Sequence, residues 1–88
     1  MEFEFDATKS KSNRIKHGID FVQAQALWQD GLRYVVPARV TGESRFAMIA
    51  RIDETFWTAI YTLRGDNIRI ISVRRARDEE KEIYYQNC

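Results

Sequence analysis

Most of the side chains in this sequence that could bind a substrate or take part in catalysis are basic. Five arginines fall between positions 64 and 77, and four lysines or arginines precede the single histidine between positions 9 and 17. Arginine binds phosphate through two parallel N–H···O bonds and stays charged at neutral pH. If the fold brings the two blocks together, they form a basic face that attracts a polyanion. The alternative is that both are solvated surfaces of a protein whose net charge is only +1.

This set of side chains matches the cleavage of an RNA phosphodiester without a metal or any other cofactor. The reaction needs a base for the attacking 2′-hydroxyl, a cation for the phosphorane and an acid for the leaving 5′-oxygen. We expect Arg64, Arg69 and Arg74 to hold and stabilise the scissile phosphate. Histidine ordinarily titrates near neutral pH, so His17 is the first candidate for proton transfer, with Lys9 as the second.

The basic residues also have purely structural explanations. His17 precedes Gly18 at a predicted helix C-terminus, where a cationic histidine interacts favourably with the helix dipole. The hairpin arginines could instead protect an exposed strand edge against aggregation. Trp28 and Trp57 are better explained as core residues than as platforms for base stacking.

Two residues of the C-terminal segment have expected partners. Tyr84 is expected to pack its ring under Arg75 and to keep its hydroxyl in water, and Tyr85 to be exposed or at an interface. Glu80 is expected to pair with a nearby arginine and orient it for phosphate binding.

Several kinds of site are excluded by composition. One cysteine, Cys88, and one histidine cannot supply a zinc ligand set or an internal disulfide. The four glycines are scattered and form no phosphate-binding loop of the P-loop or dinucleotide type. No apolar run approaches the ~20 residues of a membrane span, and the acidic start lacks the apolar core of a signal peptide. We therefore expect a cytoplasmic protein that does not associate with membranes.

Two helices are predicted near the start of the chain, after a short strand in which phenylalanine alternates with glutamate. The first runs from Ala7 to Lys16, with Asp6 as its N-cap and Gly18 as its left-handed stop. The second begins at a capping box formed by Asp20 and Gln23. Its apolar side chains form a buried stripe of Phe21, Ala24, Leu27 and Trp28.

Four strands and a final helix are predicted for the rest of the chain. The strands cover residues 32–36, 45–51, 56–63 and 68–74; Pro37 ends the first, and residues 38–43 form a loop. After Arg75 the pattern becomes helical, with an acidic first turn that suits the positive end of the helix dipole. Residues 1–88 are therefore predicted to form one α+β domain in the order β-α-α-β-β-β-β-α, with its helices on an antiparallel sheet.

The last two predicted strands form a hairpin whose register decides which side chains share a face. If residues 65–66 are the two loop residues, Thr62 lies opposite Arg69 and Ile60 lies opposite Ile71. A longer loop would shift this register.

Three segments carry motifs in the same order as one known family. They are F-E-F-D-A-T-K-S-K-S-N-R-I-K-H-G-I-D-F at residues 3–21, G-E-S-R-F-A-M-I-A-R at 42–51 and Y-T-L-R-G-D-N-I-R-I-I-S-V-R-R-A-R-D-E-E-K-E-I-Y at 61–84. K-H-G followed much later by R-I-I-S-x-R-x-A is a specific combination. On these motifs the chain resembles the BrnT family of toxins from bacterial type II toxin–antitoxin systems. The family motif maps onto Lys9, Asn13, Lys16, His17, Arg45, Arg51, Thr62, Arg64, Arg69, Ser72, Arg74, Ala76, Glu80 and Tyr84.

The resemblance implies a fold similar to the RelE/ParE superfamily and a ribonuclease that blocks translation. It also implies a BrnA-type antitoxin, whose complex with the toxin represses their shared promoter, and a toxin dimer within a heterotetramer. Additional RNA-binding residues are expected at Lys16, Arg45, Arg51, Arg75 and Tyr84. Ala50 and Leu63 depart from the family pattern without removing the cationic set.

A second hypothesis of a different class is a binding protein that has the toxin fold but no activity. It would sequester an antitoxin or act as a nucleic-acid-binding co-repressor. The hypothesis is motivated by the lack of an unambiguous general base. Only an enzyme would inhibit growth when it is produced alone.

Overall fold

The computed structural model describes residues 2–38 and 42–88, in which it places five strands, two α-helices and one 3₁₀ helix. The strands are β1 (Phe3–Glu4), β2 (Tyr34–Ala38), β3 (Arg45–Ile52), β4 (Thr55–Arg64) and β5 (Asn67–Arg75). The helices are α1 (Ala7–His17), the 3₁₀ helix (Gln23–Gln29) and α2 (Asp78–Gln86). The predicted α+β class is confirmed, whereas residues 39–41 of the predicted loop lie outside the described residues. In the described segments, no helix is long and apolar enough to cross a membrane.

The five strands form one mixed sheet in the order β1-β5-β4-β3-β2. β1 lies parallel to β5, with Phe3 opposite Ile68 and Glu4 opposite Arg69, and the other neighbours are antiparallel. The prediction of an antiparallel sheet is therefore wrong at this edge. Alternation of Phe and Glu shows that a segment is a strand but not its direction, and no tight turn joins β1 to β5 to impose an antiparallel pairing.

The second predicted α-helix is a 3₁₀ helix. Its capping box is confirmed, because the Gln23 N–H donates to Asp20 Oδ1 at 2.7 Å and the Asp20 N–H donates to Gln23 Oε1 at 3.0 Å. The buried positions Phe21, Ala24 and Leu27 recur every three residues. A helix with three residues per turn aligns such positions on one side, whereas an α-helix would let the stripe drift around its axis.

β2 extends through Pro37, which was predicted to end it. Pro37 lies opposite Phe46 within the β2–β3 ladder. Proline has no backbone N–H to donate, but the sheet tolerates it here because β2 is an edge strand. One side of an edge strand has no neighbouring strand to accept a hydrogen bond.

The β4–β5 hairpin contains a bulge at Ile71. The pairing of Thr62 with Arg69 is confirmed, but Ile60 lies opposite Ser72 rather than Ile71, because the register shifts between Ile60 and Tyr61. β5 therefore has one extra residue at this point, which reverses the alternation of its side chains beyond the bulge.

The two faces of the sheet bury different sets of side chains. The core face carries Trp57, Ala59 and Tyr61 of β4, and the segment containing the 3₁₀ helix packs on it. β5 adds Ile68, Ile70 and Val73 to the core face, with the bulge lying between Ile70 and Val73. We call the opposite face the arginine face, because the register places Arg45, Arg51, Arg64, Arg69 and Arg74 on it.

α2 covers one end of the arginine face. Tyr84 is 2% exposed and forms a second small core with Ile49, Phe56 and Ala76. The rings of Tyr84 and Phe56 meet edge to face at 5.1 Å between centroids. α2 therefore packs on the N-terminal end of β4 and the C-terminal end of β5, where Arg74 lies.

Candidate functional site

α1 is positioned by caps at both ends. The Lys9 N–H donates to Asp6 Oδ1 at 3.0 Å, and Gly18 ends the helix with φ 83° while its N–H donates to the Arg14 carbonyl. The predicted helix and both caps are thus confirmed. Gly18 closes the C-terminus through its backbone, and the exposed His17 side chain makes no hydrogen bond within residues 2–38 and 42–88. A capping hydrogen bond therefore does not account for His17.

Asn13 attaches α1 to the free edge of β5. Its side-chain amide donates to the carbonyls of Ile19 and Val73, each at 2.8 Å, and its Oδ1 accepts the Val73 N–H at 3.1 Å. The amide thus pairs with both main-chain groups of Val73, as a neighbouring strand would. Asn13 is 6% exposed, so these bonds are shielded from water. They fix the distance between α1 and β5 just beyond the bulge.

The bulge determines which β5 side chains share the arginine face. Arg69 and Arg74 are five residues apart, so a regular strand would place them on opposite faces. Because the extra residue reverses the alternation, Arg69, Ser72 and Arg74 lie opposite Thr62, Ile60 and Thr58 and point to the same side. Bulges often redirect side chains next to functional sites in this way.

A cleft of about 180 Å³ lies between α1 and the bulge. It is lined by Lys9, Ser12, Asn13, Lys16, His17, Ile71 and Ser72. The first four follow the spacing i, i+3, i+4, i+7 and so form one stripe on the helix. The cleft therefore brings the predicted proton-transfer residues, His17 and Lys9, together with the predicted RNA-binding residue Lys16.

The charge of the cleft is set by the last turn of α1. The C-terminal carbonyls of a helix form the negative end of its dipole, which disfavours an anion. Arg14, Lys16 and His17 all lie in this turn and offset that effect. Lys9 and Lys16 are exposed, and neither forms an ion pair within the described segments.

Arg74 is held by Glu80 through two parallel bonds, of 2.8 Å from Nη1 and 2.9 Å from Nη2. Glu80 also accepts bonds from the Arg77 N–H at 2.8 Å and the Thr58 hydroxyl at 3.0 Å. Hydrogen bonding to Arg74, aided by the other two donors, lowers the pKa of Glu80 from 4.5 to about 2. Glu80 is therefore ionised at neutral pH, and it fixes the guanidinium of Arg74 as predicted.

Glu80→Gln should lower the free energy of unfolding by about 2 kcal/mol at pH 7, because a charged bidentate partner is lost. The pKa of Glu80 is depressed in the folded state, so its contribution is fully present above about pH 5. The contribution is lost as pH falls from about 4.5 towards 2. Urea unfolding of both proteins between pH 8 and 2.5 should show a constant difference that then shrinks.

A matched control for this substitution is Glu82→Gln. Glu82 lies on the same helix but is exposed, and its substitution removes the same charge. It should change stability by less than about 0.5 kcal/mol at any pH. A difference between Glu80→Gln and the parent that persists unchanged to pH 2.5 would show that the ion pair is not its source.

Arg69 has a looser partner than Arg74. Its Nη1 lies 3.5 Å from Glu4 Oε1, and the Asn67 side chain donates to Glu4 Oε2 at 3.0 Å. Hydrogen bonding from Asn67, followed by that from Arg69, lowers the pKa of Glu4. A long, solvent-accessible pair of this kind contributes little to stability, so Glu4 holds Arg69 less firmly than Glu80 holds Arg74. Arg64 is exposed at the end of β4 and forms no ion pair within the described residues.

The remaining predicted arginines contact other side chains. Arg45 pairs with Glu43 at 3.2 Å. Arg51 lies over the ring of Phe56 at 5.7 Å, close to α2. Arg75 points to the core face, where its guanidinium lies 5.2 Å from the ring centre of Trp57.

The predicted environment of Tyr84 is wrong. Its ring does not pack under Arg75 but lies in the second core, and its hydroxyl donates to Asp30 Oδ2 at 2.8 Å rather than to water. Burial, together with the charge and hydrogen bond of Asp30, raises the pKa of Tyr84 to about 12. Because the ring of Tyr84 has almost no accessible surface, it cannot stack on an RNA base in this structure. Tyr85 is 59% exposed, as predicted.

The cleft and the arginine face share one residue, Ser72, and none of the hairpin arginines lines the cleft. Of the hairpin residues, Ile71 and Ser72 line the cleft, and Ser72 lies between Arg69 and Arg74 on the arginine face. Residue types and spacing had not singled out Ser12 as a site residue, although the polar stripe on α1 is visible in the sequence. Within the described segments, no group of three or more His, Cys, Asp or Glu side chains is placed to hold a metal ion.

Comparison with known proteins identifies one family. A family model described as "Ribonuclease toxin, BrnT, of type II toxin-antitoxin system" matches residues 5–80. This range includes α1, the bulge, Arg74 and Glu80, and it ends before Tyr84. No curated protein matches the chain.

Proposed function

Because the chain belongs to the BrnT family of ribonuclease toxins of type II toxin–antitoxin systems, we propose that it is a metal-independent endoribonuclease that inhibits translation. Residues 1–88 act as one toxin domain in the cytoplasm. A BrnA-type antitoxin neutralises it, and two toxin chains assemble with antitoxin into a heterotetramer that represses the shared promoter. The relationship to RelE/ParE toxins stays a prediction.

One observation carries the proposal: the bulge at Ile71 places Arg69 and Arg74 on one face, beside a cleft that contains Lys9, Lys16 and His17. Catalysis of RNA cleavage without a metal needs cations around a phosphate and a proton-transfer group beside it. Ser72 belongs to both the cleft and the arginine face, so in this proposal the scissile phosphate binds at Ser72, between the two groups of residues.

In the proposed reaction, the ring of His17 takes the proton of the 2′-hydroxyl as that oxygen attacks phosphorus. The O2′–P bond forms, the P–O5′ bond breaks, and the ammonium of Lys9 protonates the leaving 5′-oxygen. The products are a 2′,3′-cyclic phosphate and a 5′-hydroxyl. Arg69 and Lys16 stabilise the charge that develops on the phosphoryl oxygens. Arg74 is held by Glu80 and binds the neighbouring phosphate.

Arg69→Ala should reduce cleavage of single-stranded RNA in EDTA about 10²–10³-fold, the effect of removing one transition-state donor. Purified parent and variant proteins are incubated with end-labelled RNA, and the rate constants are compared. Arg33→Ala is the matched control, because Arg33 precedes the opposite edge strand and its removal costs the same charge. Cleavage that requires added Mg²⁺, or equal rates for the two variants, would overturn the mechanism.

The second candidate is a non-catalytic binding protein. It is favoured by the pairing of both Arg69 and Arg74 with acidic side chains in the free protein. Growth inhibition by the chain produced without antitoxin separates the two functions. A chain that binds its antitoxin but does not inhibit growth when it is produced alone would favour the binding protein.

A further inference from the structure

A second concavity lies on the other side of the α1 C-terminus, between the 3₁₀ helix and the turn that joins β3 to β4. Its volume is about 440 Å³, more than twice that of the cleft. It is lined by Gly18, Ile19, Gln23, Ile52, Asp53, Thr55 and Trp57. The proposed cleavage reaction uses none of these residues.

The walls of this pocket are apolar and its remaining lining is polar. Ile19, Ile52 and Trp57 provide the apolar part. No fully buried side-chain nitrogen or oxygen in the described segments lacks a partner, and no hydrogen bond is formed by the Trp57 indole N–H there. Trp57 is 7% exposed, so the pocket meets only the part of the indole that the core leaves uncovered. Flat apolar surface combined with a few edge donors and acceptors is typical of pockets that bind a nucleobase.

The polar groups favour one kind of base. The Gln23 Oε1 is occupied by the Asp20 N–H, which leaves the Gln23 amide N–H groups as donors. Asp53 offers a carboxylate, which accepts two hydrogen bonds side by side. Among the four RNA bases, guanine alone presents two adjacent N–H donors, N1–H and N2–H, on its pairing edge. Its O6 accepts a bond from a donor such as the Gln23 amide.

Asp53 is held at this position at a conformational cost. It adopts φ 52°, the left-handed region, and is the only residue other than glycine in the described segments with a positive φ. A glycine would occupy this turn position without strain. Asparagine tolerates the same backbone conformation, so it can replace Asp53 without disturbing the turn.

The pocket and the proposed active site adjoin at the C-terminal end of α1. His17 lines the cleft and Gly18 lines the pocket, and consecutive Cα atoms lie only ~3.8 Å apart. A Cβ placed on Gly18 would meet no atom within 4 Å other than those of its chain neighbours, so no distant residue covers the chain at this point. Arg75 lies 5.2 Å from the Trp57 ring centre, which places a cation beside the pocket for the phosphate of the same nucleotide.

We propose that this pocket binds a nucleobase of single-stranded RNA next to the scissile phosphate, and that Asp53 makes guanine the preferred base. The proposal rests on the proposed ribonuclease function and defines its sequence preference. An RNA strand would place a phosphate in the cleft, pass over Gly18 and turn one base into the pocket.

The test uses Trp57 fluorescence in a Trp28→Phe background, in which Trp57 is the only tryptophan. GMP, AMP, CMP and UMP are titrated separately, with ribose 5-phosphate as the control for phosphate binding alone. GMP should change the fluorescence saturably, with an affinity roughly 10-fold above that of the other nucleotides. Asp53→Asn should remove this preference without a change in fold, as monitored by circular dichroism.

The outcomes separate the pocket from the cleavage reaction. An equal fluorescence response to ribose 5-phosphate and to GMP would contradict base binding in the pocket, even if RNA cleavage is found. The same conclusion would follow if no nucleotide changed the fluorescence. Binding of GMP without RNA cleavage would contradict the proposed ribonuclease function but would still support the guanine-binding pocket. If Trp28→Phe does not fold, the Trp57 indole N–H signal in a ¹H–¹⁵N spectrum of the unsubstituted protein gives the same readout.

Discussion

His17→Ala should lower the rate of RNA cleavage about 10²–10⁴-fold, the usual contribution of a positioned general base. His17 is exposed in the cleft, and Gly18 rather than His17 closes the end of α1. Its removal should therefore cost no more than about 1 kcal/mol of stability, through the lost interaction with the helix dipole. Rate constants in EDTA and urea unfolding of the same preparations provide the measurement.

Lys9→Ala is the comparison that assigns the roles. If His17 is the base, added imidazole should restore part of the cleavage rate of His17→Ala and leave the rate of Lys9→Ala unchanged. If Lys9 were the base, an added primary amine should restore Lys9→Ala, and imidazole should not restore His17→Ala. Retention of full activity by His17→Ala would remove His17 from the mechanism and leave only its electrostatic effect on the end of α1.

Asn13→Asp should destabilise the protein by about 3–5 kcal/mol, because it places an unpaired charge in a buried position. The new carboxylate would face the carbonyl oxygens of Ile19 and Val73, which Asn13 now satisfies as a donor. The deficit should shrink as the pH falls, because protonation removes the charge and restores one donor. Urea unfolding between pH 8 and 4 measures both the deficit and its pH dependence.

Ser12→Asp is the matched control for the buried charge. Ser12 is adjacent on α1 and exposed in the cleft, so the same charge is added in water. Its stability should stay within about 0.5 kcal/mol of the parent, while RNA binding weakens because an acid enters the cationic cleft. Equal stability of Asn13→Asp and Ser12→Asp would show that Asn13 does not attach α1 to β5.

Local signals in the sequence were sufficient to predict most of the helices and strands. Asp6 and Gly18 act on neighbouring residues, so their caps could be predicted, and alternation identified the strands of the hairpin. The direction of β1 and the bulge at Ile71 depend on residues far away in the sequence. Neither feature has a local signal in the sequence. The alternation of apolar and polar residues is the same for a parallel and an antiparallel strand, and it does not show at which residue a bulge interrupts the pairing.

The candidate site was predictable in its residue types but not in its geometry. Basic residues at both ends of the chain indicated an anion site, and Glu80 was correctly expected to hold an arginine. The spacing of Arg69 and Arg74 predicts opposite faces in a regular strand, so the shared face follows only from the bulge. Tyr84 was misplaced because the pattern of α2 does not reveal that Asp30, far away in sequence, accepts its hydroxyl.

The attachment of α1 to β5 also determines when the site can exist during synthesis. Asn13 and Val73 are separated by 60 positions, and Glu4 and Arg69 by 65. A growing chain exposes α1 long before β5 has left the ribosome, so Lys9 and His17 emerge without the strand that completes the cleft. Contacts this distant in sequence form late, after the loop between them has been closed. A nascent chain of this design would therefore lack the assembled cleft until its last strand is released.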